Sequence, residues 1–423
     1  MTKDLSTVFT GILKEELIPA MGCTEPIALA YAAAYARQLL GRMPTQVEVL
    51  CSGNIIKNTM AVTVPQTGGL RGIKAAVLAG IIGGDADRCL EVLDTVREED
   101  IPKIHEALGE NYVTVKPMDT THTLHIVIRM SEGSDTVSAE IIDAHTNIGK
   151  VEKNGRVIRE RKEQAAVVSR AERQMLNIRD ILDYAGQVNT EEISDVLERQ
   201  ISFNTAISEE GLRGNWGACV GKTLLEKHGG NDIYEICKAS AAAGSDARMN
   251  GCTMPVVINS GSGNQGVTVS LPVIRYAESI GATREELLRA LAAANLCAIH
   301  QKTKIGRLSA YCGAVSAAVG AITGIAILDK SGFDIISQTI VNTLGTIGGI
   351  PCDGAKSSCA AKIASSLDCA FTAYEMAKES RGFSAGEGIV KEDVEKTIAT
   401  IGRMAAEGMV GTDREILQIM VGQ

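Results

Sequence analysis

The chain has 423 residues, of which 45% are hydrophobic and 22% charged, with a net charge of −9. This composition excludes a mainly disordered protein, and the length passes the point at which one hydrophobic core usually stops growing, so two or three domains are expected. An acidic balance with only 3% aromatic residues and no basic stripe excludes a nucleic-acid binder, which needs clustered Lys and Arg against phosphate.

Met1 to Pro19 mixes acidic and basic residues on an amphipathic pattern. It lacks the charged start, apolar middle and small-residue cleavage site of an export signal, so a cytoplasmic protein is expected. Leu5 to Ala20 and Ile27 to Leu40 carry helical spacing of apolar residues, interrupted by Met21-Gly22-Cys23-Thr24-Glu25-Pro26. Thr24 suits a cap and Pro26 a first helical turn, which puts Cys23 at a helix N-terminus. Unpaired N–H groups and the helix dipole there favour a thiolate.

From Gln46 the apolar period changes to two, over Val47 to Cys51, Met60 to Val64, Val113 to Val115, Leu124 to Ile128 and Val137 to Ile142. Helices are predicted near Ile73 to Ile82 and Arg88 to Val96, and Lys153-Asn154-Gly155-Arg156 reads as an Asn-Gly hairpin turn. The strands are expected to stop after about Glu160. The charge run Arg159-Glu160-Arg161-Lys162-Glu163 reads as a linker or a solvated helix start. Beyond it lie Ala-rich helical segments with Gly-rich junctions at 211–217, 244–266, 345–354 and 382–388. The expected architecture is an α+β N-terminal domain over 1–160, whose first helices pack on a second, helical domain. That larger all-α, Ala/Gly-rich helical domain spans 161–423 and carries the chemistry-bearing cysteines. The longest apolar run, Gly313 to Leu328, is shorter than the ~20 residues needed to cross a bilayer and predicts a buried helix, with no membrane partner.

Eleven cysteines without an export signal point to a reducing compartment, where thiols stay free and clustered ones bind metal or react. Cys51, Cys89, Cys219, Cys237, Cys297 and Cys369 lie in apolar or helical contexts and read as buried core thiols. Cys312, before Gly313, and the pair in Pro351-Cys352-Asp353-Gly354-Ala355-Lys356-Ser357-Ser358-Cys359 are different: they flank turns at helix starts. Backbone N–H groups there can bond to thiolate or cluster sulfur. Three thiolates suit a [4Fe–4S] cube with one open iron. Buried core thiols and a Cys₃ zinc site are the alternatives, although zinc ligands usually come as close C-x₂₋₄-C pairs.

Other polar sets accompany these cysteines. Ser260-Gly261-Ser262-Gly263-Asn264-Gln265-Gly266 can aim backbone N–H groups at an anion. Asn54, Lys57 and Asn58 follow Ser52-Gly53, with Lys57 a candidate for a carboxylate. His145, in Asp143-Ala144-His145-Thr146-Asn147, is a candidate base, whereas His300 reads as a helix-end residue. The five residues Gly22-Cys23-Thr24-Glu25-Pro26 share G-C-T-x-P with Gly251-Cys252-Thr253-Met254-Pro255, a length at which chance is an even alternative.

Taken together, the Met21–Pro26, Gly53–Asn58, Gly251–Pro255 and Ser260–Gly266 motifs and Cys312, Cys352 and Cys359 resemble the L-cysteine desulfidase family. That family is related to the α chain of iron–sulfur L-serine dehydratases, and the resemblance covers nearly the whole chain. It implies a [4Fe–4S] cluster on Cys312, Cys352 and Cys359, with Cys23 as base or transient fourth ligand. It also implies conversion of L-cysteine and water to pyruvate, ammonia and sulfide. Serine is the alternative substrate; a pyridoxal-phosphate lyase and a non-catalytic iron–sulfur or small-molecule sensor are the rival readings. The implied partner is a small amino acid, and a homodimer is compatible with the sequence.

Overall fold

A computed structural model describes residues 3–160, 172–228, 230–306 and 308–422. Helix α1 (Lys3–Glu16) leads into a short strand β1 (Pro19–Met21), and α2 (Thr24–Leu40) follows. A six-stranded sheet then forms from β2 (Gln46–Cys51), β3 (Val113–Pro117), β4 (His125–Glu132), β5 (Asp135–Ile142), β6 (Ile148–Lys153) and β7 (Arg156–Glu160), in the order β3-β2-β4-β5-β6-β7. Only the β2/β3 pair is parallel, which requires a long crossover. That crossover holds α3 (Gly53–Thr59), α4 (Gly72–Gly83) and α5 (Ile101–Glu110).

Alternation sets the two faces of the sheet. Val47, Val49, Ile126, Ile128, Val137, Ala139 and Ile141 point inward and are buried, and α2 packs between the sheet and α4. Gly80 permits that approach, because a Cβ there would stand 2.2 Å from the Ala30 carbonyl oxygen. The opposite face is polar, with Arg129 and Lys116 both donating to Glu48. The Asn-Gly hairpin forms as the sequence indicates: Asn154 and Gly155 take φ of 52° and 74° between antiparallel β6 and β7, the type I′ combination.

The larger portion is helical: α6 (Ile178–Gln187), α7 (Ser194–Arg213), α8 (Val220–His228), α9 (Ile233–Met249), α10 (Gly263–Ile280), α11 (Arg284–Ile305), α12 (Gly313–Leu328), α13 (Phe333–Ile347), α14 (Ser358–Lys378), α15 (Val394–Arg403) and α16 (Val410–Val421). The apolar run 313–328 is α12, buried on nearly all sides among α10, α11 and α14. Small residues let these helices touch; a Cβ on Gly211 would meet the Ala243 carbonyl oxygen at 2.0 Å, and one on Gly320 would meet that of Ala294 at 2.4 Å. No described helix is long and apolar enough to cross a membrane.

Four sequence expectations need correction. The first helix ends at Glu16, because residues 19–21 pair as β1 with β8 (Pro255–Val257), a strand beyond residue 160 that the pattern did not signal. Met60 to Val64 forms only an isolated bridge at Thr63 to Arg71 after α3. Arg88 to Val96 is not an α-helix: a 3₁₀ segment covers Ala86–Glu91 and turns at Cys89, whose φ is 49°. Of the six thiols expected in the core, Cys51, Cys237 and Cys297 are buried, Cys89 is exposed on that turn, and Cys219 and Cys369 are half-buried. The expected boundary at residue 160 and most of the 159–163 charge run abut or fall within 161–171, outside the described residues.

Candidate active site

The short β1/β8 ladder assembles the site. Met21 stands opposite Pro255, so the two G-C-T-x-P segments, far apart in sequence, leave the same two-stranded sheet side by side. Both glycines are held in the left-handed region, at φ of 55° for Gly22 and 95° for Gly251. Gly22 lies so close to Pro65 that a Cβ would be 2.4 Å from its ring. Thr24 then donates to the Gly261 carbonyl at 2.9 Å. This fixes the start of α2 against the Ser260–Gly266 loop at the start of α10.

Cys23 sits at the N-terminus of α2, as its sequence context predicts, but it is itself the N-cap, and Thr24, the expected cap, is the first helical residue. Its thiol nevertheless has a pKa well above the usual value, because burial outweighs the helix terminus and the adjacent Glu25 carboxylate adds to the effect. The thiol donates to Glu25 Oε2 at 2.9 Å. Glu25 is buried, and it also accepts from Thr24 Oγ1 at 3.2 Å and, at Oε1, from Asn58 Nδ2 at 3.1 Å. His145 is buried as well, with Nε2 3.8 Å from Glu25 Oε1, a separation longer than a hydrogen bond. Burial pushes the Glu25 pKa upward, but His145 and the Cys23 donor overcome this and hold it at about 2. The ensemble is a buried thiol, carboxylate and imidazole in a row.

The three cysteines of the C-terminal third converge next to it. An isolated bridge pairs Tyr311 with Pro351, and the Cys312 N–H donates to the Ile350 carbonyl at 2.9 Å. These contacts bring Cys312 and Cys352, forty positions apart in sequence, together. Cys312 is the N-cap of α12, Cys359 is the second residue of α14, and Cys359 packs in one small cluster with Cys23 and Met249. Burial, then the neighbouring Cys352, pushes the Cys312 thiol up to about 12. The same two causes raise Cys359, while Lys356 and Lys362 oppose the rise. Among the described residues, no three His, Cys, Asp or Glu side chains already stand at metal-binding distance. The donor chemistry fits an iron–sulfur cluster: three neighbouring thiols, two at helix starts, with lysines to offset thiolate charge.

The remaining predicted residues separate into two groups. Ser262 caps α10, Asn264 accepts from Arg248, and Gln265 lies against Gly313, beside Cys312. Ser260 instead donates to Asn259, which is bonded to Asn295 within the scaffold. The Lys57 ammonium is ion-paired with Asp413 of α16 and donates to the Cys352 carbonyl at 3.2 Å, so it braces the cysteine loop. Asn54 is in the same helix, α3, as Lys57 and Asn58. His300 lies outside the site, 2.8 Å from Glu395. Several buried polar atoms have no hydrogen-bond partner among the described residues: Asn54 Oδ1, Asn58 Oδ1, His145 Nε2, Gln265 Oε1 and Arg248 Nε. In native interiors most such atoms are satisfied, so a concentration of exceptions marks a place for a ligand. Sequence reasoning missed Glu25 and Arg248: the first reads as an ordinary first-turn acid and the second as a basic last-turn residue.

An α+β portion joined to a helical portion, with thiols and unpaired polar groups gathered around α2, α3, α9, α10, α12 and α14, defines a cysteine-lined candidate site. Residues 87–418 match the model of the serine dehydratase alpha chain family. The chain is 51% identical to a UPF0597 protein of Lachnoclostridium phytofermentans, over 97% of this chain and 98% of that one. It is 48% identical to UPF0597 proteins of Treponema denticola, over 98% and 97%, and of Desulfitobacterium hafniense, over 98% and 96%. The chain belongs to the serine dehydratase alpha chain family, and so to a family of lyase-type enzymes.

Proposed function

We propose that the protein catalyses a pyridoxal-independent β-elimination on a small L-amino acid, L-cysteine in the first instance, giving pyruvate, ammonia and sulfide. The observation that carries this reading is the meeting of Cys312, Cys352 and Cys359 with the buried Cys23–Glu25–His145 row. Cys312, Cys352 and Cys359 would hold a [4Fe–4S] cluster, whose open iron supplies Lewis acidity toward the substrate. Family membership supports the lyase chemistry and the iron–sulfur setting.

The chain's own residues supply acid–base chemistry and orientation. Cys23 takes the Cα proton as a thiolate, its own proton having passed to solvent, while Glu25, held ionised, orients the Cys23 sulfur through their hydrogen bond. A thiolate that is hard to form in a buried site is a strong base once formed, which suits a weakly acidic Cα–H. His145 stands beside Glu25, and Asn58 donates to the carboxylate and fixes its plane. The electron pair left by the Cα proton forms the Cα–Cβ double bond as HS⁻ leaves, and the aminoacrylate hydrolyses to pyruvate and ammonia in water.

Iron and sulfide reconstitution under anaerobic conditions, with absorption spectra and sulfide and pyruvate assays on L-cysteine and L-serine side by side, tests the reading. A broad iron–sulfur band with pyruvate and sulfide from cysteine is the expected result. Faster pyruvate release from serine moves the substrate to serine; an intact cluster with no turnover of either refutes the elimination.

A further inference from the structure

Arg248 closes helix α9 with only 2% of its surface exposed, and among the described residues no carboxylate pairs with it. A guanidinium does not lose its proton in a protein, and a buried cation without a counter-charge is costly, so this one is held ready for a negative partner. Its Nη1 donates to Asn264 Oδ1 at 3.0 Å, while Nε has no partner. The guanidinium packs close against Gly263, where a Cβ would be 2.2 Å from Nε. Glycine at that position makes its placement sterically allowed.

Independent observations point to a ligand at the same place. The 18-residue helix α10 starts at Gly263, with its N-cap Ser262, and directs its positive end there. Next to it Gln265, itself buried, keeps Oε1 unpaired, and so does Asn58 at Oδ1 across the site. The other buried cation of the site, Lys57, is already neutralised by Asp413.

We propose that Arg248 is the carboxylate anchor of this site: its guanidinium binds the α-carboxylate of a small L-amino acid, oriented by Asn264 and supported by the α10 N-terminus. One fixed cation among neutral amides matches a single negative charge, and the planar fork matches a carboxylate. The inference deepens the elimination reading and rests on it for the amino acid's identity. With the carboxylate held at Arg248, the substrate's Cα is drawn toward the start of α2, where Cys23 waits.

The test uses anaerobic, cluster-loaded protein and calorimetric titration with L-alanine, which has no leaving group, and L-alaninamide, which lacks the carboxylate charge. Wild type is expected to prefer alanine by about ten- to hundredfold, the range of a charged hydrogen bond. Arg248→Met should remove that preference without altering the cluster spectrum, and Arg248→Lys should restore part of it. Asn264→Ala, which leaves the arginine in place, should weaken the preference severalfold and serves as the second variant if Arg248→Met does not fold. An unchanged preference in the folded Arg248→Met protein, or in Asn264→Ala where only that variant folds, overturns the proposal. So does a wild type that binds neither ligand or does not distinguish them. If alanine binding depends on Arg248 but no amino acid is turned over, the anchor stands and the elimination reading falls.

Discussion

The ion pair between Lys57 and Asp413 ties the C-terminal helix α16 to the loop that carries Cys352, and its two ends differ sharply in burial. The Lys57 side chain is 1% exposed and that of Asp413 is 20% exposed. Asp413→Asn therefore leaves a fully buried ammonium with only the Cys352 carbonyl, whereas Lys57→Met leaves a carboxylate that water still reaches. Stranding one partner of a buried pair costs about 3–5 kcal/mol; allowing for the exposure of Asp413, we expect about 2–3 kcal/mol for Asp413→Asn. Lys57→Met loses the pair and a hydrogen bond but preserves volume, and about 1–2 kcal/mol is expected. The double variant should be more stable than Asp413→Asn alone, since it removes the stranded charge. Thermal melts of the apoprotein at one protein concentration give the order, and retention of iron–sulfur absorbance after dilution reports the Cys352 loop. If Asp413→Asn melts no lower than Lys57→Met, or if the two losses simply add, the buried-ammonium argument is wrong.

Glu25, with its pKa held at about 2 against a usual 4.5, contributes stability above pH 4.5 that is lost as pH falls from there toward 2. The contribution amounts to about 3 kcal/mol; Glu25→Gln should flatten the acid limb of apoprotein stability over that window. Equal acid sensitivity in both proteins would contradict the assignment. Glu25→Gln should also reduce pyruvate formation by roughly tenfold to a hundredfold, measured at saturating substrate, because the carboxylate that orients the Cys23 sulfur is lost. Cys352→Ala is expected to abolish cluster absorbance and turnover together, while Cys23→Ala keeps most of the absorbance and stops turnover; a fully active Cys23→Ala protein ends its role as base. Gly211→Ala places a methyl group 2.0 Å from the Ala243 carbonyl oxygen and should cost about 2 kcal/mol or more by forcing α7 and α9 apart, read as a lower melting temperature with an unchanged cluster spectrum.

Much of the architecture was legible in the sequence because it depends on short-range periodicity. The alternation over Val47–Cys51 and Val137–Ile142, the Asn154-Gly155 turn and the unbroken small-residue run of 313–328 each dictate an element whose burial follows from its own residues. The α+β portion before 160 and the helical portion after it were likewise readable. The sequence also placed Cys23 at a helix start and singled out Cys312, Cys352 and Cys359 by their turn contexts. It did not reveal β8, because three residues carry no period, and the β1/β8 ladder is what turns two matching motifs into neighbours. Helix position alone pointed to a thiolate at Cys23, and burial with Glu25 reversed that, since desolvation comes from atoms far away in the chain. Only the tertiary fold decided that Lys57 is occupied by Asp413 while Arg248 is buried with no acid paired to it among the described residues, because the charge state of a site depends on which side chains share it, and local sequence does not encode that.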